Sequence, residues 1–230
     1  MIEETDFETF LYVSKNKYQI FVYDKNNLSN LYNQEIKIND KIEPNSLSKF
    51  LDDNIYIIEK KVSNFIRNII LIIEDDKVLT VSISIKNKNY DEFIEKKYLE
   101  NSLIEIKDIF RENYQDEIIM HMVIVDNDSN KKFLSNNKDI SNDYLYLEVN
   151  LISISNSHTY FFDKLLESHQ IKISKYMSGS YIKSFFAEDL TELSIVANKL
   201  NNGLNKNEVQ LVKKNSENKG FFEKFFQLFS

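Results

Sequence analysis

The chain contains only three glycines, Gly179, Gly203 and Gly220, among its 230 residues. A loop that cradles a phosphate group needs glycine, because a residue without a side chain lets backbone N–H groups approach the anion. Neither the GxxxxGK[ST] motif nor the GxGxxG motif occurs in the sequence. We therefore expect no phosphate-binding loop of either type.

Residues 1–89 alternate between the periodicity of strands and that of a helix. The stretch 9–38 predicts three short strands, because apolar and polar side chains alternate between Asn-rich turns. From 47 to 69, apolar residues recur every three or four positions, which predicts one face of a long helix. The runs 69–74 and 78–85 then predict a buried strand and a strand with one apolar face.

Residues 90–175 predict a small α+β unit. Its first helix, predicted from 91 to 113, has Leu99, Leu103, Ile106 and Phe110 on one stripe. Strand, strand, helix and strand patterns follow, so helices are expected on one face of an antiparallel sheet. They occupy residues 117–125, 143–155, 157–168 and 171–174. Residues 176–200 return to helical spacing, and 201–219 are polar enough to predict a linker.

Side chains that carry chemistry are scattered. His121, His158 and His169 do not stand at the spacing of metal ligands, and the chain has no cysteine. Adjacent carboxylates are most simply explained by solvated turns or by neighbouring positions on a helix, rather than by a general acid–base pair. These pairs are Asp52/Asp53, Asp75/Asp76 and Glu188/Asp189. We expect no catalytic, cofactor-binding or metal-binding residues, and so no enzyme.

Charge and hydropathy exclude further classes of protein. The formal net charge is −7 and no basic cluster stands out in the sequence, so we expect no binding to nucleic acid. The acidic N-terminus is not typical of a signal peptide, and no apolar stretch approaches the ~20 residues that span a bilayer. The absence of cysteine fits a reducing cytoplasm.

The last eleven residues, GFFEKFFQLFS, form the clearest functional signal. Placed on a helix, their apolar side chains fall within an arc of about 160°, and polar residues fill the other side. Such a face is buried against the chain's own core, a partner protein or a bilayer surface, and its aromatic residues favour the bilayer. The candidate membrane-binding residues are Phe221, Phe222, Lys224, Phe225, Phe226, Leu228 and Phe229.

The order of elements and this C-terminal segment together resemble FtsA, a family of actin-like bacterial cell-division proteins. Residues 9–89 resemble the first half of its N-terminal actin-like subdomain. Residues 90–128 and 143–186, the latter beginning DYLYLEVNLISIS, resemble its inserted SHS2 subdomain and the return from it. Residues 220–230 resemble the family's membrane-targeting helix. The resemblance implies an α+β fold, with a partial actin-like (ribonuclease H-like) subdomain, an SHS2-type insertion, a flexible linker and an amphipathic helix.

The chain departs from this family at its functional sites. YVSKNKY, residues 12–18, stands where the family has its first phosphate loop, and the half that carries the second loop does not follow residue 200. The resemblance therefore implies no ATPase. The half that holds the family's FtsZ site is also absent, so FtsZ remains only a possible partner.

We expect a non-catalytic, FtsA-like division adaptor on the cytoplasmic face of the inner membrane, at the division site. Its expected partners are inner-membrane phospholipids, division proteins and further copies of itself. Three alternatives stay open. In the first, the chain is a cytoplasmic scaffold of a pilus or secretion system. In the second, it is a soluble α+β protein whose C-terminal helix docks on its own core. In the third, it is a small enzyme whose C-terminal helix closes a pocket.

Overall fold

The computed structural model describes residues 6–39, 42–88, 96–125, 144–187 and 192–209. These residues form eight β-strands and five α-helices, which divide into two compact units. The first unit contains the described residues up to Leu79 and those from Ile152 to Leu204. The second contains the described residues from Thr80 to Leu151 and from Asn205 to Val209. In these ranges, no helix combines the length and the apolar character needed to cross a membrane.

The first unit is built on a five-stranded sheet with the order β3-β2-β1-β4-β8. β1 pairs with β2, and β2 with β3, in antiparallel register, whereas β4 lies parallel to both β1 and β8. Phe10, Leu11, Tyr12 and Val13 in β1 are all buried, because both faces of this central strand are covered. The strands are β1 (Phe7–Ser14), β2 (Lys17–Asp24), β3 (Ser29–Lys37), β4 (Asn68–Glu74) and β8 (Lys172–Ser178).

Two helices, α1 (Pro44–Val62) and α3 (Asn156–Ser168), pack on one face of this sheet. The ring of Phe50 in α1 lies 6.0 Å from that of Tyr18, and Tyr176 in β8 donates a hydrogen bond to Asp163 in α3 at 2.7 Å. The other face packs against α4 (Gly179–Lys183) and α5 (Leu193–Asn201). That cluster includes Phe10, Tyr12, Ile70, Ile72, Val196, Ala197 and Leu200.

α1 ends earlier than the apolar spacing from 47 to 69 predicts. Ser63 takes a left-handed backbone conformation with φ of 53°, and the N–H of Ile66 bonds the carboxylate of Glu59 at 3.0 Å. The chain therefore turns after the helix. Phe65 is left 71% exposed and Ile69 enters β4, so their spacing does not belong to the helix.

The second unit has a three-stranded sheet with the order β5-β7-β6 and one helix, α2 (Lys96–Asn113), within its described residues. The strands are β5 (Leu79–Lys88), β6 (Glu117–Ile124) and β7 (Tyr144–Ser155). The predicted stripe of α2, Leu103, Ile106 and Phe110, packs with Ile85 and Val149 from the sheet.

The structure divides the chain at different positions from the expected ranges 1–89 and 90–175. β5 belongs to the three-stranded sheet from Thr80 onward, whereas α3 and β8 belong to the first unit. The reason is that β8 pairs with β4, with Tyr176 beside Leu71. Sequence order alone does not reveal such a pairing, because the two strands are about a hundred residues apart.

The expected linker 201–219 is packed at its start. The N–H of Ile124 bonds the carbonyl of Asn207 at 2.9 Å, and the N–H of Val209 bonds the carbonyl of Met122 at 2.8 Å. Val209 also contacts the apolar core of the second unit. Residues 205–209 thus extend the free edge of β6, and the rest of the expected linker lies outside the described residues.

Candidate functional site

The carboxyl ends of the parallel strands β1, β4 and β8 meet at one edge of the five-stranded sheet. Open α/β sheets bind ligands outside the carboxyl ends of their strands. Ser14, Glu74 and Ser178 are the last residues of these strands. We call these strand ends, together with the turns that follow them, the carboxyl edge.

The turn between β1 and β2 satisfies its own backbone donors. The side-chain oxygen of Ser14 accepts hydrogen bonds from the N–H groups of Asn16 at 3.3 Å and Lys17 at 3.1 Å. The Ser14 hydroxyl also donates to the carbonyl of Lys17 at 3.2 Å. Because both N–H groups already have an internal acceptor, this turn does not present a free pair of backbone donors to an anion.

The start of α4 packs closely on the sheet. Ser178 caps this short helix, since its side-chain oxygen accepts from the N–H of Tyr181 at 3.3 Å. A Cβ atom on Gly179 would lie only 2.8 Å from Cβ of Glu74 and 3.2 Å from Cε2 of Tyr12. Glycine is therefore required here for packing against β4 and β1.

Tyr12, Glu74 and Lys183 form a hydrogen-bonded cluster at the carboxyl edge. The Tyr12 hydroxyl donates to Glu74, and the Lys183 ammonium donates to Glu74 Oε2 at 2.5 Å and to the Tyr12 oxygen at 3.2 Å. Burial, together with the bond to Glu74, raises the pKa of Tyr12. Burial lowers the pKa of Lys183, but its bonds to Glu74 and Tyr12 outweigh that effect and raise it. At neutral pH the cluster holds a neutral phenol and a charged ammonium.

The turn after β4 adds two carboxylates with different surroundings. Asp76 is exposed and pairs with Lys15, whereas only 9% of the Asp75 side chain is exposed. Nε2 of His158 lies 3.8 Å from Oδ2 of Asp75. Burial, and then the nearby Lys77 ammonium, lower the pKa of His158, which favours a neutral imidazole. The expectation of a solvated turn is thus correct for Asp76 and wrong for the Asp75 side chain.

The other histidines also face carboxylates that the sequence does not reveal. Nδ1 of His121 lies 2.8 Å from Oε1 of Glu208, with both side chains buried, and Nε2 of His169 lies 3.0 Å from Oδ1 of Asp52. These partners are about ninety or more positions apart, so ligand spacing in the sequence cannot detect them. No group of three or more potential metal ligands is found in the part of the chain that the structure describes.

The candidate membrane-binding residues, Phe221 to Phe229, lie outside the described residues, and so does the Glu188/Asp189 pair. The structure therefore neither places them nor tests their proposed role.

Comparison with known proteins finds similar structures but no match in sequence. No protein-family model and no curated protein matches the chain. A chain of the PilM–PilN type IV pilus biogenesis complex has a TM-score of 0.52 at 6% identity, and the match covers 77% of this chain and 49% of that one. This likeness, together with the strand order β3-β2-β1-β4-β8, identifies the fold of the chain. The fold is partly actin-like.

Two further structures are similar over a comparable part of the chain. The cytoplasmic domain of EpsL, an inner-membrane component of the Vibrio cholerae type II secretion system, has 6% identity and a TM-score of 0.39, and the match covers 80% of this chain and 59% of that one. A Bacteroides thetaiotaomicron protein with an actin-like ATPase fold and unknown function has 16% identity and a TM-score of 0.35, with coverages of 80% and 58%. The chain thus spans about half to three fifths of the length of these three chains.

The two sheets and the likeness at a TM-score of 0.52 confirm the expected α+β class with a partial actin-like subdomain. They do not show membership of the FtsA family or the SHS2 character of the second unit, which stay predictions.

Proposed function

We propose that this protein is a non-catalytic, actin-like scaffold that binds partner proteins while held on the cytoplasmic face of a membrane by residues 221–229. The carboxyl edge is the observation that carries the non-catalytic part of this proposal. The membrane attachment rests on the aromatic face of the C-terminal segment.

Internal bonds at the carboxyl edge occupy two backbone donors and two of the cations that could recognise a nucleotide. Ser14 occupies the two N–H groups of the first turn, and Ser178 caps α4. The cations Lys183 and Lys15 are paired with Glu74 and Asp76. A phosphate at this edge would have to displace these bonds and would meet three carboxylates, so binding of a nucleotide is unfavourable.

The C-terminal segment leaves from the second unit. Val209 is hydrogen-bonded to β6, and eleven residues separate it from Phe221. Because an extended chain advances at most about 3.6 Å per residue, Phe221 reaches no farther than about 40 Å from Val209. A segment of this length is long enough to dock on a nearby bilayer while Val209 stays in place.

The resemblance to FtsA favours cell division as the process that the scaffold serves, with division proteins as partners. A second candidate is a pilus or secretion scaffold, which the likeness to a chain of the PilM–PilN complex favours. A fluorescent fusion distinguishes the two: a band at midcell supports division, and foci elsewhere on the envelope that persist in non-dividing cells support a pilus or secretion role.

Vesicle co-sedimentation tests the membrane attachment. We expect the full chain to bind vesicles of phosphatidylglycerol and phosphatidylcholine, and the Phe225→Ser/Phe226→Ser variant to remain in the supernatant. A Glu223→Gln variant, which changes the polar side of the same predicted helix, is the control and should still bind. Equal binding by the serine variant and the full chain contradicts the attachment.

Calorimetric titration with Mg-ATP and Mg-GTP tests the non-catalytic part. We expect no binding by the full chain. Saturable binding that weakens in a Lys183→Ala variant would show that the carboxyl edge accepts a nucleotide, and the proposal would fail.

A further inference from the structure

A group of basic and apolar side chains is exposed at the edge of the five-stranded sheet opposite the carboxyl edge. α1 ends there, and β4 and β8 begin there. We call these side chains the amino-edge patch. They are Ile57, Lys60, Lys61, Phe65, Arg67 and Lys172.

The backbone brings these residues together from α1, from the loop that leads into β4, and from the start of β8. Ile57, Lys60 and Lys61 are three and four positions apart on α1, so they lie on one surface of the helix. Phe65 follows the turn at Ser63. The carbonyl of Arg67 accepts a hydrogen bond from the N–H of Lys172 at 2.9 Å, which places the starts of β4 and β8 side by side.

The patch differs in charge from the chain as a whole. It carries four cations and no carboxylate, whereas the chain has a formal net charge of −7. None of the four cations lies within ion-pair distance of a carboxylate in the described residues. Two carboxylates neighbour the patch. Glu59 accepts from the N–H of Ile66. Glu167 pairs with Lys164 at 2.7 Å, and its pKa is lowered mainly by Lys164 and to a smaller extent by the charge of Lys172.

Two large apolar side chains lie among these charges. Phe65 is 71% exposed and Ile57 is 49% exposed. Lysines in the last turn of a helix are explained by the helix dipole, which accounts for Lys60 and Lys61. That explanation does not extend to Arg67 in the loop before β4, to Lys172 at the start of β8, or to the exposed Phe65.

We propose that the amino-edge patch is a second membrane-contact surface, which binds anionic lipid headgroups through its four cations and inserts Phe65 at the interface. The proposal rests on the membrane attachment proposed above and adds a folded surface to it. Basic residues beside exposed aromatic ones are the composition that binds an anionic bilayer surface. The patch and the C-terminal segment are parts of one chain, so binding of one raises the effective concentration of the other at the membrane.

A tryptophan reporter tests insertion directly, because the chain contains no tryptophan. We expect the emission of a Phe65→Trp variant to shift to shorter wavelength on vesicles of equimolar phosphatidylglycerol and phosphatidylcholine, and to be quenched by brominated lipid. Tyr160→Trp is the matched control, since Tyr160 is 61% exposed and lies in the first half of α3, near the carboxyl edge. Its emission should not change.

Neutralising the charges tests the headgroup contact. Each basic residue near an anionic bilayer strengthens binding about fivefold, so the Lys60→Gln/Lys61→Gln variant should bind about 25-fold more weakly than the full chain. Lys49→Gln/Lys199→Gln removes the same charge at exposed positions outside the patch and should bind like the full chain. On vesicles of phosphatidylcholine alone, all three proteins should bind equally.

The outcomes separate this inference from the proposed function. If the full chain binds vesicles but the reporter of the Phe65→Trp variant stays in water and both lysine pairs behave alike, the patch does not contact lipid and the membrane attachment stands. That result also follows if the patch instead binds an acidic partner protein, so it overturns the lipid assignment. If the full chain binds neither type of vesicle, the membrane attachment itself fails, and the inference fails with it.

Discussion

Substituting Gly179 with alanine should destabilise the first unit through one defined contact. The new Cβ atom would lie 2.8 Å from Cβ of Glu74, whereas ordinary contact between carbon atoms is about 3.5–4.0 Å. α4 would therefore have to move about 1 Å away from β4. Overpacking of this kind costs about 1–3 kcal/mol of the free energy of unfolding.

Two further terms bear on the same substitution. Moving α4 lengthens the bonds from Lys183 to Glu74 and Tyr12. Because the Lys183–Glu74 ion pair is partly exposed, its loss adds at most about 1 kcal/mol to the destabilisation. In the opposite direction, alanine favours a helix over glycine by up to about 1 kcal/mol. The net loss is about 2 kcal/mol, which lowers Tm by roughly 5–10 °C for a unit of this size.

Urea unfolding and thermal melts followed by circular dichroism measure this loss. Ser180→Ala is the matched control, because Ser180 is the next residue of α4 and is exposed. It should melt within a degree or two of the wild type. A Gly179→Ala protein that is as stable as the control would show that α4 does not pack against β4 as closely as described.

Three other changes give defined outcomes. Phe110→Ala should cost about 3–5 kcal/mol in urea unfolding, because Phe110 is fully buried in the core of the second unit, and an unchanged midpoint would contradict that core. Glu208→Ala should lower the free energy of unfolding by about 1–3 kcal/mol and speed exchange of the Val209 amide hydrogen, because it removes the buried bond to His121. The control Lys206→Ala, at an exposed position, should do neither. Folding raises the pKa of Tyr12, so the contribution of its phenol to stability is present below pH 10 and is lost as pH rises further. The Tyr12→Phe variant should therefore lose less stability than the wild type between neutral pH and pH 11. Parallel losses of stability in the two proteins would contradict the raised pKa.

Sequence periodicity predicted the elements whose burial is one-sided. In α2, Leu103, Ile106 and Phe110 share the buried face, and in β5 Val81, Ile83 and Ile85 face the same core. Such elements show their period directly, because one face meets water and the other does not. The order of strands and helices in the first half of the chain was also predictable, because polar turns separate the runs and β4 is a short, continuous apolar run.

Tertiary pairing was not predictable in the same way. β8 joins β4 rather than its neighbours in sequence, although the two strands are about a hundred residues apart. The end of α1 depends on a left-handed Ser63 and a bond to the Glu59 side chain, neither of which changes the apolar spacing. Local patterns carry no information about such long-range or single-residue events.

At the carboxyl edge, too, the sequence indicated some features and not others. The scarcity of glycine excludes a glycine-rich phosphate loop at the first turn from the sequence alone. It did not reveal that Ser14 bonds the N–H groups of that turn, or that Glu74 and Lys183, over a hundred positions apart, share a hydrogen bond with Tyr12. These contacts arise only when the parallel strands bring their ends to one edge.

The addition of residues 205–209 to β6 has a consequence for synthesis on the ribosome. The second unit begins to emerge at Thr80, but the segment that covers the β6 edge is translated only after the last helix of the first unit. Until Glu208 leaves the exit tunnel, His121 lacks this carboxylate and the backbone groups of Met122 and Ile124 lack their partners. An uncovered strand edge is a template for pairing with another chain. Nascent chains stalled before residue 205 should therefore associate more readily with one another than chains stalled beyond residue 209.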